Sequence, residues 1–332
     1  MSTDKRLGLA LLVIFLVLPL AAAYASNPVE LEAGWNEGKG SLLLVLVFVA
    51  IEGLDATYRM NKTKLALALA CSIFLSLIFY YDPSSLQFIT QAGTYFGVAP
   101  SLLIYSWHEF WVTVVYLALV LALIVDLTGL GQFRAFLFTL VYTVLMAIVL
   151  LLDAIFPYNE LGPLQAFVPV LVGIATYIMK ATKLVNVTSF GNIMLINAGG
   201  TVKALVVYWP SAGVDSFLIF TGIAIAFLLK QRIGGIKLVV YTFLGALGTI
   251  SVNIFRIILL AYYTEYYPAQ SFQTFHDVIG EILFLPWLVA FMIIVHYVEK
   301  RLAEGRKLGL AQTEEVQLRP KPTPSNPKFQ LA

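Results

Sequence analysis

The chain has 332 residues, of which 60% are hydrophobic and only 12% charged, against about 25% charged in an ordinary soluble domain. With a mean hydropathy of +0.86 it reads as a membrane protein before any motif is considered. A net charge of +2 with no dense basic patch outside the tail argues against nucleic acid as a partner. The single cysteine, Cys71, rules out an intrachain disulfide and a four-thiolate metal site.

The amino terminus, MSTDKRLGLALLVIFLVLPLAAAYASNP, sets Lys5 and Arg6 before an apolar run that ends at Ala23-Tyr24-Ala25. The pattern fits both a cleaved signal sequence and a retained first helix. Retention is expected, because the spans that follow need no separate secretion signal, and either outcome leaves residue 26 outside the cytoplasm.

A crossing helix takes about 20 apolar residues, and candidate spans lie at 7–25, 42–58, 65–81, 109–127, 135–156, 164–180, 212–230, 236–262 and 278–298. The basic breaks at Lys5-Arg6, Arg59 to Lys64, Arg134, Lys230 to Lys237 and EKRLAEGRK are expected in the cytoplasm. Both termini then face inward, which requires an even number of crossings, whereas the candidate spans are odd in number. The difficulty sits at 181–211: Lys180 and Lys183 argue that the sixth span ends inside, yet the segment from Ser211 must run inward to Lys230. Gly191, Gly199, Gly200 and the β-branched residues around them read as a hairpin or re-entrant piece. The expected fold class is an all-α polytopic membrane protein: a multispan helical bundle over 1–304, with an irregular or β-hairpin-like segment before Ser211. The tail at 305–332, with Pro320, Pro322, Pro324 and Pro327, is expected to be disordered and cytoplasmic.

Acidic groups in or beside spans can mark ion or proton paths. Asp55 is explained by its interfacial position, whereas Glu52, one turn deeper, leaves a transporter reading open. Three dispersed histidines, no HExxH and no phosphate-binding glycine loop leave no expectation of a metal or cofactor.

Three polar residues near the ends of the last apolar segments share one expected depth. Arg256 lies about 28 Å of helix beyond Lys237, which brings it to the outer hydrocarbon boundary with Ser211 and His276. An arginine between SVNIF and IILLAYY either snorkels or serves a site, where its fixed donors can hold an oxygen that gains negative charge. Asn253 lies on its helical face. His276, with Asp277 beside it and Gly280 one turn on, is either an interfacial anchor or a base that takes a hydroxyl proton and returns it to an amine. Ser211 is either a helix cap or a nucleophile. Pro210 stiffens its approach, and Ala212 and Gly213 leave room for a close backbone. Asp215 either steadies a partner or is an ordinary first-turn carboxylate.

Taken together, YWPSAGVDS, SVNIFRI and FHDVIG resemble the exosortase/archaeosortase family of multispan membrane enzymes. That family carries a C-S-G or C-A-G step before one helix, N-x-x-R-I in the next and H-x-x-x-G at the start of a third. Here these are Ser211-Ala212-Gly213, Asn253 to Ile257 and His276 to Gly280. The likeness is specific over 190–300, the expected catalytic core, and loose over the whole chain. It implies a catalytic Ser211, Arg256 and His276 on the outer face of the cell membrane, supported by Asn253, Asp215, Asp277, Gly213 and Gly280. It further implies membrane-anchored surface proteins with carboxyl-terminal sorting signals as substrates, a lipid or other acceptor for the new carboxyl end, and an archaeal source. Serine stands where the family has cysteine. The resemblance therefore implies a serine form of the sorting protease or transpeptidase, with a noncatalytic assembly partner as the alternative.

Overall fold

The computed structural model describes residues 3–32, 39–59, 61–81, 87–156 and 163–318, with a few side chains, that of Asp277 among them, outside the description. The chain divides into two units, residues 1–288 and 289–332. Of the tail at 305–332, the stretch to Leu318 is helical and 319–332 lies outside the described residues.

The apolar runs form helices: α1 (Thr3–Ser26), the short α2 (Val29–Glu32), α3 (Leu42–Glu52), α4 (Lys62–Tyr81), the short α5 (Gln87–Tyr95) and α6 (Pro100–Leu103), then α7 (Ser106–Thr128), α8 (Leu137–Ile155) and α9 (Val168–Thr182). Strands β1 (Val187–Phe190), β2 (Ile193–Ala198) and β3 (Thr201–Val206) precede α10 (Val214–Lys230), α11 (Ile236–Tyr266) and α12 (Phe272–Leu318). Among the described residues, seven helical stretches are long and apolar enough to cross a membrane: Asp4–Ser26, Lys62–Tyr81, Pro100–Thr128, Leu130–Ile155, Leu164–Thr182, Ile236–Tyr266 and Ala269–Gly305. The protein is a predominantly helical multispan membrane protein. The expected span at 42–58 is shorter than the sequence implies. Its helix, α3, has 11 residues, about 16 Å against the roughly 30 Å of a hydrocarbon core.

Hydrogen bonds define two ends of the bundle. At one end Lys64 Nζ reaches the Asp126 carbonyl at 3.1 Å, the Arg59 amide donates to Leu127 at 2.7 Å, and Lys230 meets Glu52 at 3.1 Å. Glu52 also accepts the amides of Phe138 and Thr139, each at 2.9 Å. The first amides of a helix have no partner within it, so this buried carboxylate closes the start of α8 and ties α3, α8 and α10 together. That geometry accounts for Glu52 without an ion path. At the other end Ser26 Oγ donates to Tyr80, and Trp209 Nε1 to Phe156.

A second charged group is fully inside the bundle. Lys39 is 1% exposed and pairs with Glu109 at 3.3 Å, while His108 Nδ1 lies 3.5 Å from the same carboxylate oxygen. Burying charge this way requires pairing, and the pairing fixes the segment before α3 against α7.

The stretch before Ser211 is a three-stranded antiparallel meander in the order β1-β2-β3, with Val187 opposite Ile196 and Ile193 opposite Val206. Its turns explain the glycines. Gly199 and Gly200 both have positive φ (+59° and +91°), as a two-residue type I′ turn requires, and Gly191 has φ +60° at the first position of the other turn. One face packs into a core with α9 and α11 that includes Met179, Met194, Ile196, Trp209 and Ile257.

Gln165, just before α9, donates to the Val207 carbonyl at 3.1 Å and accepts from the Trp209 amide at 2.9 Å. The chain therefore enters and leaves the α9–sheet unit at one place, and the unit adds no net crossing. Setting this unit aside removes one of the expected crossings. Lys180 and Lys183 do not mark a return to the Lys64–Lys230 end. They lead into a sheet whose Lys203 donates to the Thr264 carbonyl at 2.6 Å, far along α11 from its start.

Candidate functional site

Trp209 to Gly213 is a tight turn: the Ala212 amide donates to Tyr208, Gly213 to Pro210 and Val214 to Trp209, at 2.8, 2.9 and 3.2 Å. Gly213 then opens α10 with φ +83°, and α10 has no side-chain cap. Ser211 is thus not a capping serine. Its Oγ lies 3.0 Å from His276 Nε2. Asp215 holds the Ser216 amide at 2.7 Å within the first turn of α10, where a carboxylate suits the helix start.

The turn is fixed from α11. Asn253 Nδ2 donates to the Gly213 carbonyl at 2.9 Å, and Asn253 is buried. One turn farther along α11, Arg256 is also buried, and its Nη2 lies 3.4 Å from the His276 carbonyl oxygen. A Cβ on Gly280 would stand 2.9 Å from the guanidinium carbon, so this glycine provides the room Arg256 occupies on α12. Ser211, His276, Arg256, Asn253, Gly213 and Gly280 therefore form one connected group. The Asp277 side chain lies outside those described.

Ser211 and His276 line a cavity of about 540 Å³ with Leu102, Tyr105, Ser106, Asp153, Tyr208 and Phe272 among its other walls. Arg256 is not a wall of it; the guanidinium sits at the backbone of His276. The cavity holds an acid that the sequence reading passes over. Asp153 is 2% exposed and accepts a hydrogen bond from the Ser106 hydroxyl. A carboxylate within the run IVLLLDAIF carried the general signal of an ionisable residue in a span. Among the described residues no cluster of three or more His, Cys, Asp or Glu could hold a metal ion.

A serine hydroxyl alone is a weak nucleophile. An imidazole nitrogen at hydrogen-bond distance can take its proton if the ring carries its own proton on Nδ1. The arrangement places a hydroxyl and an imidazole nitrogen together at one wall of a cavity.

Neither the curated proteins nor the solved structures give a match. A family model, that of the transmembrane exosortases, matches residues 66–293. These residues include the turn at Ser211, the helix of Asn253 and Arg256, and the start of α12 at His276. With more than half of its length matched and its motifs brought together in space, the chain belongs to the transmembrane exosortase family.

Proposed function

We propose that the protein is a sorting protease or transpeptidase of surface proteins, with Ser211 as nucleophile and His276 as base and then acid. The observation that carries this reading is the 3.0 Å approach of Ser211 Oγ to His276 Nε2 at the cavity wall. Ser211 Oγ attacks the scissile carbonyl as its proton passes to His276. The C–N bond then breaks, and His276 returns that proton to the leaving amine. Water, or the hydroxyl or amine of a lipid or other acceptor, opens the resulting ester in a second step that regenerates Ser211. Asn253 and Gly213 hold the nucleophile turn. Arg256, in the room that Gly280 leaves, reaches the backbone of His276 and in this reading positions its ring. Asp215 serves α10.

The site lies on the extracytoplasmic side in this reading. The basic breaks at Arg59, Lys64 and Lys230 gather at one end of the bundle, the end that cationic loops mark as cytoplasmic. Ser211 and Lys230 stand before and at the end of the same helix, α10, so Ser211 faces the other way. Substrates would be membrane-anchored proteins whose carboxyl-terminal signal ends in an apolar helix and a basic cluster.

The test is reconstitution with reporter proteins of that design, followed by intact-mass measurement of enzyme and products. The expected result is an ester adduct on the native enzyme that Ser211→Ala lacks. Cleavage at the native rate by Ser211→Ala would remove the nucleophile. Binding of reporters without any cleavage would favour the noncatalytic assembly partner.

A further inference from the structure

We propose that the free edge of β3 binds the substrate as an added strand and leads its scissile bond to Ser211, an inference that rests on the function proposed above. The sheet order β1-β2-β3 leaves β3 unpaired on one side among the described strands. The direction of its hydrogen bonds follows from one contact: the Val207 amide donates to the Asn192 carbonyl at 2.8 Å. In an antiparallel ladder the backbone groups of alternate residues turn toward the same neighbour. Thr201, Lys203 and Leu205 therefore face β2. Val202, Ala204 and Val206 turn their N–H and C=O groups outward, and all three residues are exposed.

That edge runs into the site. Leu205, Val206, Val207, Tyr208, Pro210 and Ser211 are successive walls of the cavity that holds His276. Its upstream half lines a smaller hollow of about 280 Å³, where Lys203, Ala204 and Leu205 face Tyr263, Tyr267 and Pro268. Leu205 and Phe272 belong to both hollows, so they form one groove along β3. The wall opposite the strand is aromatic: Tyr263 stacks on Tyr267 and Phe275 with ring centroids 4.5 and 4.1 Å apart.

A row of outward donors and acceptors on every second residue is matched by an extended polypeptide, which supplies the complementary row by strand addition. Main-chain pairing would hold the peptide whatever its sequence, and the aromatic wall would select side chains. Ser211 acts on an acyl carbon, so the occupant that fits both halves of the groove is a peptide extended on the amino side of its membrane helix. The opposite edge, on β1, does not line either hollow.

The test uses a library of reporters in vesicles, each with a random twelve-residue segment before an apolar helix and a Lys/Arg cluster. Each carries one cysteine, moved along the segment. The protein carries Cys71→Ser, Ser211→Ala and Ala204→Cys, so docking is read without turnover. Oxidation with copper phenanthroline should give disulfides that alternate with a period of two along the segment. Equal yields at adjacent positions, or no captured member of the library, would overturn the proposal. In the catalytically intact protein, Ala204→Pro removes one outward N–H. It should raise KM for a cleaved reporter about fivefold to tenfold, the scale of one backbone hydrogen bond. Ser189→Pro, on the β1 edge, should leave KM unchanged. An unchanged KM in Ala204→Pro, with cleavage intact, would overturn strand addition and leave the serine chemistry standing. Alternating cross-links without cleavage by the native protein would do the reverse.

Discussion

Gly213 and Asn253 occupy adjoining space so closely that a Cβ on the glycine would lie 2.1 Å from the amide carbon of the asparagine. The same asparagine donates to the Gly213 carbonyl. The residue after the Ser-Ala step is therefore glycine for two reasons: its φ of +83° and the side chain above it. Gly213→Ala should displace the turn that carries Ser211, with a loss of reporter cleavage of at least a hundredfold. Asn253→Ala leaves the Gly213 carbonyl without this donor and should cost about 1 to 3 kcal/mol. Thermal unfolding in detergent micelles measures the second effect. Unaltered cleavage in Gly213→Ala would show that the turn does not set the nucleophile.

Gly280 should behave differently, because its neighbour is the movable end of a side chain. Gly280→Ala pushes against the Arg256 guanidinium, from which a Cβ would be 2.9 Å away, and should weaken its contact with the His276 carbonyl. We expect kcat to fall about tenfold while KM and melting temperature stay near native. Arg256→Lys should not restore what Arg256→Ala loses, since a lysine lacks the planar fork. If Arg256 acts through His276, Arg256→Ala should also displace the acidic limb of the kcat profile with pH, where the base gains its proton. A uniform drop in rate at every pH would return Arg256 to the direct oxyanion role.

The helices and the shared depth of Ser211, Arg256 and His276 were legible because each lies near the end of an apolar run, and run length with basic breaks fixes depth. The α9–sheet unit was legible only in part. Its glycines announced turns, but Lys180 and Lys183 obey the same charge pattern as a cytoplasmic loop, and only the contacts of Gln165 with Val207 and Trp209 reveal that the chain returns where it began. Lys39 was hidden for a related reason. In GWNEGKGS it reads as an exposed loop cation, and its partner Glu109 comes from another helix. Distant pairings of this kind leave no periodicity to read.

Glu52 supports a test that separates structure from transport. Glu52→Ala leaves the Phe138 and Thr139 amides without their acceptor and Lys230 without its carboxylate. A loss of about 3 kcal/mol of stability is expected, read from the midpoint of thermal unfolding. Vesicles holding the native protein and those holding Glu52→Ala should show the same proton and sodium fluxes. A flux present in the first and lost in the second would revive a transport role.

The buried pair of Lys39 and Glu109 should show strong coupling. Lys39→Met leaves a carboxylate inside the bundle with one cation removed, and Glu109→Leu leaves an ammonium; each should cost about 3 to 5 kcal/mol. The double variant removes both charges and keeps apolar volume, so its stability should return to within about 1 kcal/mol of native. A double-variant cycle in micelles measures this. Additive losses would mean that Lys39 and Glu109 are held independently of one another.

Ser211→Cys is the substitution that bears most directly on the chemistry. The thiol is more acidic and more nucleophilic than a hydroxyl, and it would stand where the family motif has cysteine. Its sulfur is larger than the oxygen it replaces, and the turn held by Pro210, Gly213 and Asn253 leaves the Cβ direction unchanged. The His276 nitrogen, 3.0 Å from Ser211 Oγ, would then face a group that ionises with less help. Ser211→Cys should retain cleavage and lose less rate than Ser211→Ala by at least a hundredfold. It should also depend less on its base: His276→Ala should slow the cysteine form by a smaller factor than the serine form. The adduct changes from ester to thioester, which hydroxylamine cleaves at neutral pH and which intact mass resolves. Equal sensitivity of both forms to His276→Ala would mean that His276 does not remove the proton from residue 211, and its role would then be confined to the leaving group.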